Sequence, residues 1–349
     1  MRPHGSPLAL RAVAWETTKR CGMNCRHCRA EAVDKSYSGE LSTAEGFRLI
    51  DGLAEMGRCI LILTGGEPMV REDIYELSAY AVSKGLDVVM APCGSLVNPE
   101  TVKLMKSSGV RLISLSIDGP DAEIHDEFRG VKGAFQNVID AAEYARAGEM
   151  PVQINTTVSK LNVNCLSEIH ELVIGLKAQI WDLFFLVPTG RGAEVRDLEI
   201  NSAVYEKTLN WIYNISQSSP LSIKVTCAPH YGRVQRRRAG DKFMSIPPRF
   251  RARGCLGGKG FIFISHCGIV QPCGFLNLNC GDLRKVDFDL KNIYEKSLIF
   301  QNLRDEDKYQ GSCGDCDFVR CCGGCRARAF EETGNYLAEE PSCLYGKND

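Results

Sequence analysis

Cys21, Cys25 and Cys28 stand in the run Cys21-Gly22-Met23-Asn24-Cys25-Arg26-His27-Cys28, directly after the β-prone stretch Val13-Ala14-Trp15-Glu16-Thr17. Three thiolates are thereby crowded onto one short loop, one fewer than a closed metal site needs. A cubane held by three cysteines keeps one iron free for an outside ligand, which is a catalytic rather than a purely structural arrangement. The competing reading is a zinc knuckle, or three unrelated buried cysteines. His27, trapped between Arg26 and Cys28, is poorly placed to close the same ring as a fourth zinc ligand.

One strand later comes Leu61-Ile62-Leu63-Thr64-Gly65-Gly66-Glu67-Pro68, an apolar run ending in a Gly-Gly-Glu-Pro turn. Glycines without Cβ let backbone approach a ligand closely, and Glu67 offers an acceptor to a ligand ammonium. Alone this is an ordinary strand-to-helix turn. Together with the CxxxCxxC spacing it resembles the radical S-adenosylmethionine superfamily. The resemblance implies a 4Fe-4S cluster on Cys21, Cys25 and Cys28, its open iron chelating the amino and carboxylate groups of the methionine moiety. Gly65, Gly66, Glu67 and Pro68 then bind that amino group. It also implies reductive cleavage to a 5′-deoxyadenosyl radical that abstracts hydrogen from a substrate.

Ten of the 17 cysteines lie between Cys255 and Cys343. Cys255 is followed by Gly268 and Cys273, then by Cys313-Gly314-Asp315-Cys316, Cys321-Cys322-Gly323-Gly324-Cys325 and Cys343. This pattern resembles the SPASM extension, which implies one or two auxiliary 4Fe-4S clusters. A first would use Cys255, Cys273 and Cys325, with Cys267 or an unusual fourth ligand; a second would use Cys313, Cys316, Cys322 and Cys343. Cys321, beside Cys322, is ambiguous, and Cys227 and Cys280 have no assigned role. Paired CxxC also serves zinc ribbons, the rival reading of this half.

Positioning these loops requires a scaffold. Strand candidates are Val13–Thr17, Ile60–Leu63, Val88–Met90, Leu112–Ile117, Val152–Val158 and Trp181–Leu186, each followed by an amphipathic segment. Ser42-Thr43-Ala44-Glu45 reads as a capping box, and Asn98-Pro99 as N-cap and first helical residue. Continuous apolar strands alternating with helices mean a covered parallel sheet. The expectation is an α/β fold, a partial (β/α)6 barrel over residues 1–215, a basic linker or lid over 216–254, and a cysteine-rich SPASM domain over 255–349. Chemistry in such barrels sits at the C-terminal strand ends. By resemblance Ser116, Asp118, Asn155 and Arg191 there bind the cofactor; the alternative for each is a hydrogen-bonded turn. Where many relatives carry Asn-Gly after the third strand, this chain has Ala91-Pro92-Cys93-Gly94-Ser95. Cys93 either approaches the cofactor or only fills space.

At 349 residues with net charge −1, no global field draws the chain to nucleic acid. No stretch approaches the ~20 apolar residues of a membrane span, and the residues from Met1 to Pro7 lead into no long apolar segment. The expectation is a cytoplasmic protein whose clustered cysteines are metal ligands, sensitive to oxygen. The basic run Arg233, Arg236, Arg237, Arg238, Lys242, Arg249, Arg251 and Arg253 is either a solvated loop or an anion-binding lid.

The pairing of Thr226-Cys227-Ala228-Pro229-His230-Tyr231 with Cys322-Gly323-Gly324-Cys325-Arg326-Ala327-Arg328-Ala329 resembles the heme-related branch, most of all its alternative-pathway decarboxylases. That implies oxidative decarboxylation of two propionates of iron-coproporphyrin III to vinyls, giving heme b. A flavodoxin or ferredoxin-type reductant and an external electron acceptor are implied as partners. Arg236, Arg237 and Arg238 suit substrate carboxylates. His230 either contacts the iron of the porphyrin or is a hydrogen-bonded turn histidine. The rivals are another heme-pathway side-chain removal, of the heme d1 or didecarboxysiroheme type, and a SPASM peptide maturase.

Overall fold

The computed structural model describes residues 9–247 and 251–345, which leaves Met1–Pro7 and Arg249 outside the described residues. Six parallel strands fall where the apolar runs place them: β1 (Ala12–Thr18), β2 (Ile60–Gly65), β3 (Asp87–Met90), β4 (Leu112–Ser116), β5 (Val152–Val158) and β6 (Ile180–Phe185). Each pairs with the next, forming an open partial barrel.

The outer face is apolar because helices cover it. Val13 and Trp15 of β1 are fully buried, and Gly46 in the helix Thr43–Glu55 leaves room for Trp15, whose ring lies 2.9 Å from where a Cβ would stand. In β5, Val152, Ile154, Thr156 and Val158 are buried, whereas Gln153, Asn155 and Thr157 are half-buried. The period of two thus separates an apolar outer face from a polar concave one. Trp181 of β6 meets Trp211 of the helix Ser202–Ser216 edge-on on the outer side, so its neighbour Asp182 faces the lumen. The expected caps form: Ser42 makes the capping box with Glu45, and Asn98 caps the helix that begins at Pro99.

The sheet extends beyond the six strands at both edges. β7 (Ser222–Thr226) lies within 216–254 and pairs in parallel with β6. It has no continuous apolar run, being an edge strand with exposed Lys224. β8 (Phe261–Ile264), from the cysteine-rich part, pairs in parallel with β1. It leads into antiparallel β9 (Ile269–Gln271) and β10 (Gly281–Asp282). Much of the basic run forms a helix, His230–Ala239, rather than a loop. Among the described residues no helix is long and apolar enough to cross a membrane.

Candidate active site

The cysteine loop leaves β1 at its C-terminal end and is clamped from three sides. Beneath it, a Cβ on Gly66 would lie 2.1 Å from the Arg20 carbonyl oxygen, and one on Gly65 would lie 2.4 Å from that of Thr18. The glycines are required for contact between turn and loop, and the Glu67 amide then donates to Arg20 O at 2.7 Å. On the β6 side, Arg191 donates from Nε to Cys25 O and from Nη1 to Ala32 O, both at 2.9 Å. Its Nη2 is buried without a partner. On the β4 side, the Arg26 amide donates to Arg129 O at 2.9 Å.

Glu67 is 2% exposed. Its Oε1 accepts from the Met69 amide at 2.9 Å and its Oε2 from the Cys93 amide at 2.6 Å. Burial, then the nearby Cys93, push its carboxyl well above the ordinary range. A ligand ammonium is the partner that such a carboxyl lacks. Cys93 lies beside the loop, its side chain hydrogen-bonded to Cys21 and its Sγ 3.2 Å from Ser95 Oγ.

Ser116 and Asn155 are register partners across β4 and β5 and share the concave face. Asn155 donates to Ser114 Oγ at 2.9 Å and accepts from Gln153 at 2.8 Å. The ladder continues through Lys224, whose Nζ donates to Gln153 Oε1 at 3.3 Å, and through Thr226, whose hydroxyl donates to Asp182 at 2.8 Å. Burial pushes Asp182 up to about 6, against the pull of Lys224.

Asp118 has both carboxylate oxygens engaged within the protein. It is fully buried, with Oδ1 accepting from the Thr157 amide at 2.7 Å and Oδ2 from Arg129 Nε at 2.9 Å. Its carboxylate orients Arg129, whose Nη1 lies 3.8 Å from Cys25 Sγ. Asp118 therefore reaches the loop through a residue that no local spacing singles out.

Two further sets of cysteines form in the C-terminal part. Cys227 hydrogen-bonds Cys325, which this contact keeps below the usual thiol range, and both pack with Cys273 in one apolar cluster. Cys255 is electrostatically close to Cys325 and Cys273. The fourth member is thus Cys227, at the end of β7. Cys267 instead lies by Ser38 and Gly39. Cys313, Cys316, Cys322 and Cys343 line a second pocket with His230, Arg233, Glu340 and Tyr345. Backbone amides already serve its sulfurs: Glu340 N lies 3.3 Å from Cys313 Sγ, and Phe318 N lies 3.4 Å from Cys316 Sγ. Cys321 Sγ turns to Phe318 O at 3.5 Å and is not among the pocket's lining residues. The donor sets fit sulfur-ligated clusters. Among the described residues no three of His, Cys, Asp or Glu are arranged around one metal ion.

The substrate candidates fall in two different settings. His230, 1% exposed, lines the second cysteine pocket rather than the barrel mouth, and both its ring nitrogens lack partners. Burial lowers its pKa to about 4. Arg236, Arg237 and Arg238 are exposed, with their guanidinium groups over Phe243, Tyr345 and Tyr213 respectively. Of the three, only Arg237 lies against a residue that lines the second pocket, Tyr345.

At the mouth stands a group without a sequence signal. Glu16, at the end of β1, contacts Arg29 Nη2 at 3.2 Å and His266 Nδ1 at 2.7 Å. Burial alone would raise its carboxyl, but the His266 hydrogen bond and the Arg29 charge hold it below the ordinary value.

The model of the radical SAM superfamily matches residues 15–173. The chain is 47% identical over 346 residues to the AdoMet-dependent heme synthase of Nitratidesulfovibrio vulgaris, covering 98% of this chain and 94% of that one. It is 44% identical to the AdoMet-dependent heme synthase of Methanosarcina barkeri, covering 97% of each. The crystal structure of Streptococcus suis SuiB bound to S-adenosylmethionine superposes with a TM-score of 0.73 at 17% identity, covering 96% of this chain and 78% of that one. At that identity the likeness is one of fold.

Proposed function

The chain belongs to the radical SAM superfamily and within it to the family of AdoMet-dependent heme synthases, and from that membership we propose that it decarboxylates two propionates of iron-coproporphyrin III to vinyls, giving heme b. The observation that carries the reading is the 47% identity over 98% of the chain, which spans barrel and cysteine field alike.

Bound at the three-cysteine loop, a 4Fe-4S cluster and S-adenosylmethionine supply a 5′-deoxyadenosyl radical; that chemistry belongs to the cofactor. The protein's own residues position and shield. Glu67 receives the ammonium, and Arg191 and Arg129 fix the loop from opposite sides. Met23, Ala30, Ala32 and Ala134 exclude water around it. The polar ladder of Ser114, Gln153, Asn155, Asp182 and Thr226 lines the lumen where a substrate with several carboxylates would lie. Each conversion takes one hydrogen atom from the propionate β-carbon and releases carbon dioxide and one electron. The two auxiliary cysteine sets are where one or two further clusters would receive that electron on its way to an external acceptor, with a flavodoxin or ferredoxin-type protein as reductant at the catalytic loop.

Anaerobically reconstituted protein incubated with iron-coproporphyrin III, S-adenosylmethionine and dithionite tests the reading. The expected product has lost carbon dioxide and two hydrogens at each of two side chains. An unchanged porphyrin would overturn it.

A further inference from the structure

Glu16 and His266 lie 250 positions apart in sequence, yet the parallel pairing of β1 with β8 sets them side by side at the barrel mouth. Glu16 Oε2 stands 2.7 Å from His266 Nδ1 and 3.4 Å from the His266 amide. An ionised carboxylate only accepts, so Nδ1 is the nitrogen that donates to Glu16, and in the neutral ring Nε2 is the one left for a metal. That is the arrangement in which an imidazole serves as a metal ligand: the second nitrogen's hydrogen bond to a carboxylate fixes the ring and raises its basicity. Nε2 has no hydrogen-bond partner among the described residues, and the ring is partly exposed at 16%.

The surroundings place this nitrogen between the two halves of the chemistry. Arg29, next to Cys28, ties Glu16 to the catalytic loop, and its guanidinium lies over the Phe263 ring at 4.4 Å. A Cβ on Gly274, next to Cys273, would lie 3.1 Å from Arg29 Cδ, which brings the first auxiliary set to the same wall. Tyr37 meets His266 edge-on at 5.8 Å, and Lys19 and Lys35 each stand over the Tyr37 ring, at 5.4 and 5.2 Å. Neither lysine makes an ion pair among the described residues. A free imidazole nitrogen flanked by an aromatic ring and uncommitted cations matches a flat, iron-centred, carboxylate-bearing ligand.

We propose that His266, oriented by Glu16, is the protein ligand to the iron of the porphyrin substrate, and that Lys19 and Lys35 meet its carboxylates. This rests on the iron-porphyrin reading above and assigns its iron contact to His266 in place of His230. Ligation at the mouth fixes the height and tilt of the macrocycle, so the propionates are presented in a set position. His266 is thus a positioning residue, not a participant in hydrogen abstraction.

The test titrates anaerobic holoenzyme with ferric iron-coproporphyrin III and, separately, with metal-free coproporphyrin III, followed by Soret absorption and electron paramagnetic resonance. Wild type should show an imidazole-ligated iron signature and bind the iron form more tightly than the metal-free one. His266→Ala should lose the signature and at least tenfold in affinity for the iron form, with metal-free binding unchanged. Free imidazole should restore the signature. Glu16→Gln, which keeps an acceptor for Nδ1, should retain the signature with weakened iron affinity. A ligated spectrum persisting in His266→Ala, or a loss that imidazole does not repair, overturns the assignment and leaves the substrate reading standing. Wild type that binds neither porphyrin overturns both.

Discussion

Arg129 Nη1 lies 3.8 Å from Cys25 Sγ, across 104 residues of sequence, while Asp118 grips the other edge of the same guanidinium. Both charged groups are buried, so each is tolerable only because of the other. Arg129→Leu would leave Asp118 as an uncompensated buried carboxylate and should cost about 3–5 kcal/mol of stability. Adding Asp118→Asn should recover part of that loss. Anaerobic denaturation of the two variants reads the difference; equal midpoints for wild type and Arg129→Leu would dismiss the pair as a structural element.

Gly66→Ala should destroy the catalytic cluster without unfolding the C-terminal part. The added Cβ would sit 2.1 Å from the Arg20 carbonyl, a backbone atom that cannot turn aside. Iron analysis should show loss of one cluster's worth, and 5′-deoxyadenosine formation should vanish. Full iron content with normal cleavage would refute the tight-contact argument.

The cysteine loop and the Gly-Gly-Glu-Pro turn are legible because their candidate residues lie within a few positions of one another, and β1 to β6 because helices cover them and make them apolar. β7 was not legible: an edge strand carrying Lys224 has no apolar run to announce it. Cys227 follows that strand, so its place beside Cys325 was invisible for the same reason. Glu16 with His266, and Arg129 with Cys25, are joined only by sheet pairing and helix placement across the chain. Composition gives the residue types in His230–Ala239 but not the helix face: His230 and Arg233 line the second cysteine pocket, while Arg236, Arg237 and Arg238 are exposed.

Cys227→Ala should remove one auxiliary cluster, whereas Cys267→Ala should leave all clusters in place, since Cys267 lies by Ser38 and Gly39. Iron and sulfide analysis with cluster-resolved paramagnetic spectra separates the two. The reverse pattern would return Cys267 to the ligand set.

Asp182 gives the lumen a pH dependence. Burial raises its carboxyl to about 6 in the folded protein, above the ~3.9 of an unfolded chain. The neutral form is favoured in the fold, so its contribution to stability is complete below pH ~4 and lost as pH rises to about 6. Asp182→Asn should therefore be more stable than wild type at pH 8, by about 1–3 kcal/mol. Iron-coproporphyrin III should also bind wild type more weakly at pH 7.5 than at pH 5.5, by about threefold to tenfold, because the lumen gains a negative charge. The variant should show a flatter profile. Parallel profiles would remove Asp182 from the substrate's surroundings.

On the proposed reaction, the radical made at the cysteine loop takes hydrogen from a porphyrin propionate. Iron-coproporphyrin III deuterated at the propionate β-carbons, incubated with reduced holoenzyme and S-adenosylmethionine, tests it most directly by mass analysis of the 5′-deoxyadenosine formed. Each 5′-deoxyadenosine should carry one deuterium, with one carbon dioxide released for each. Unlabelled 5′-deoxyadenosine beside intact porphyrin would contradict it.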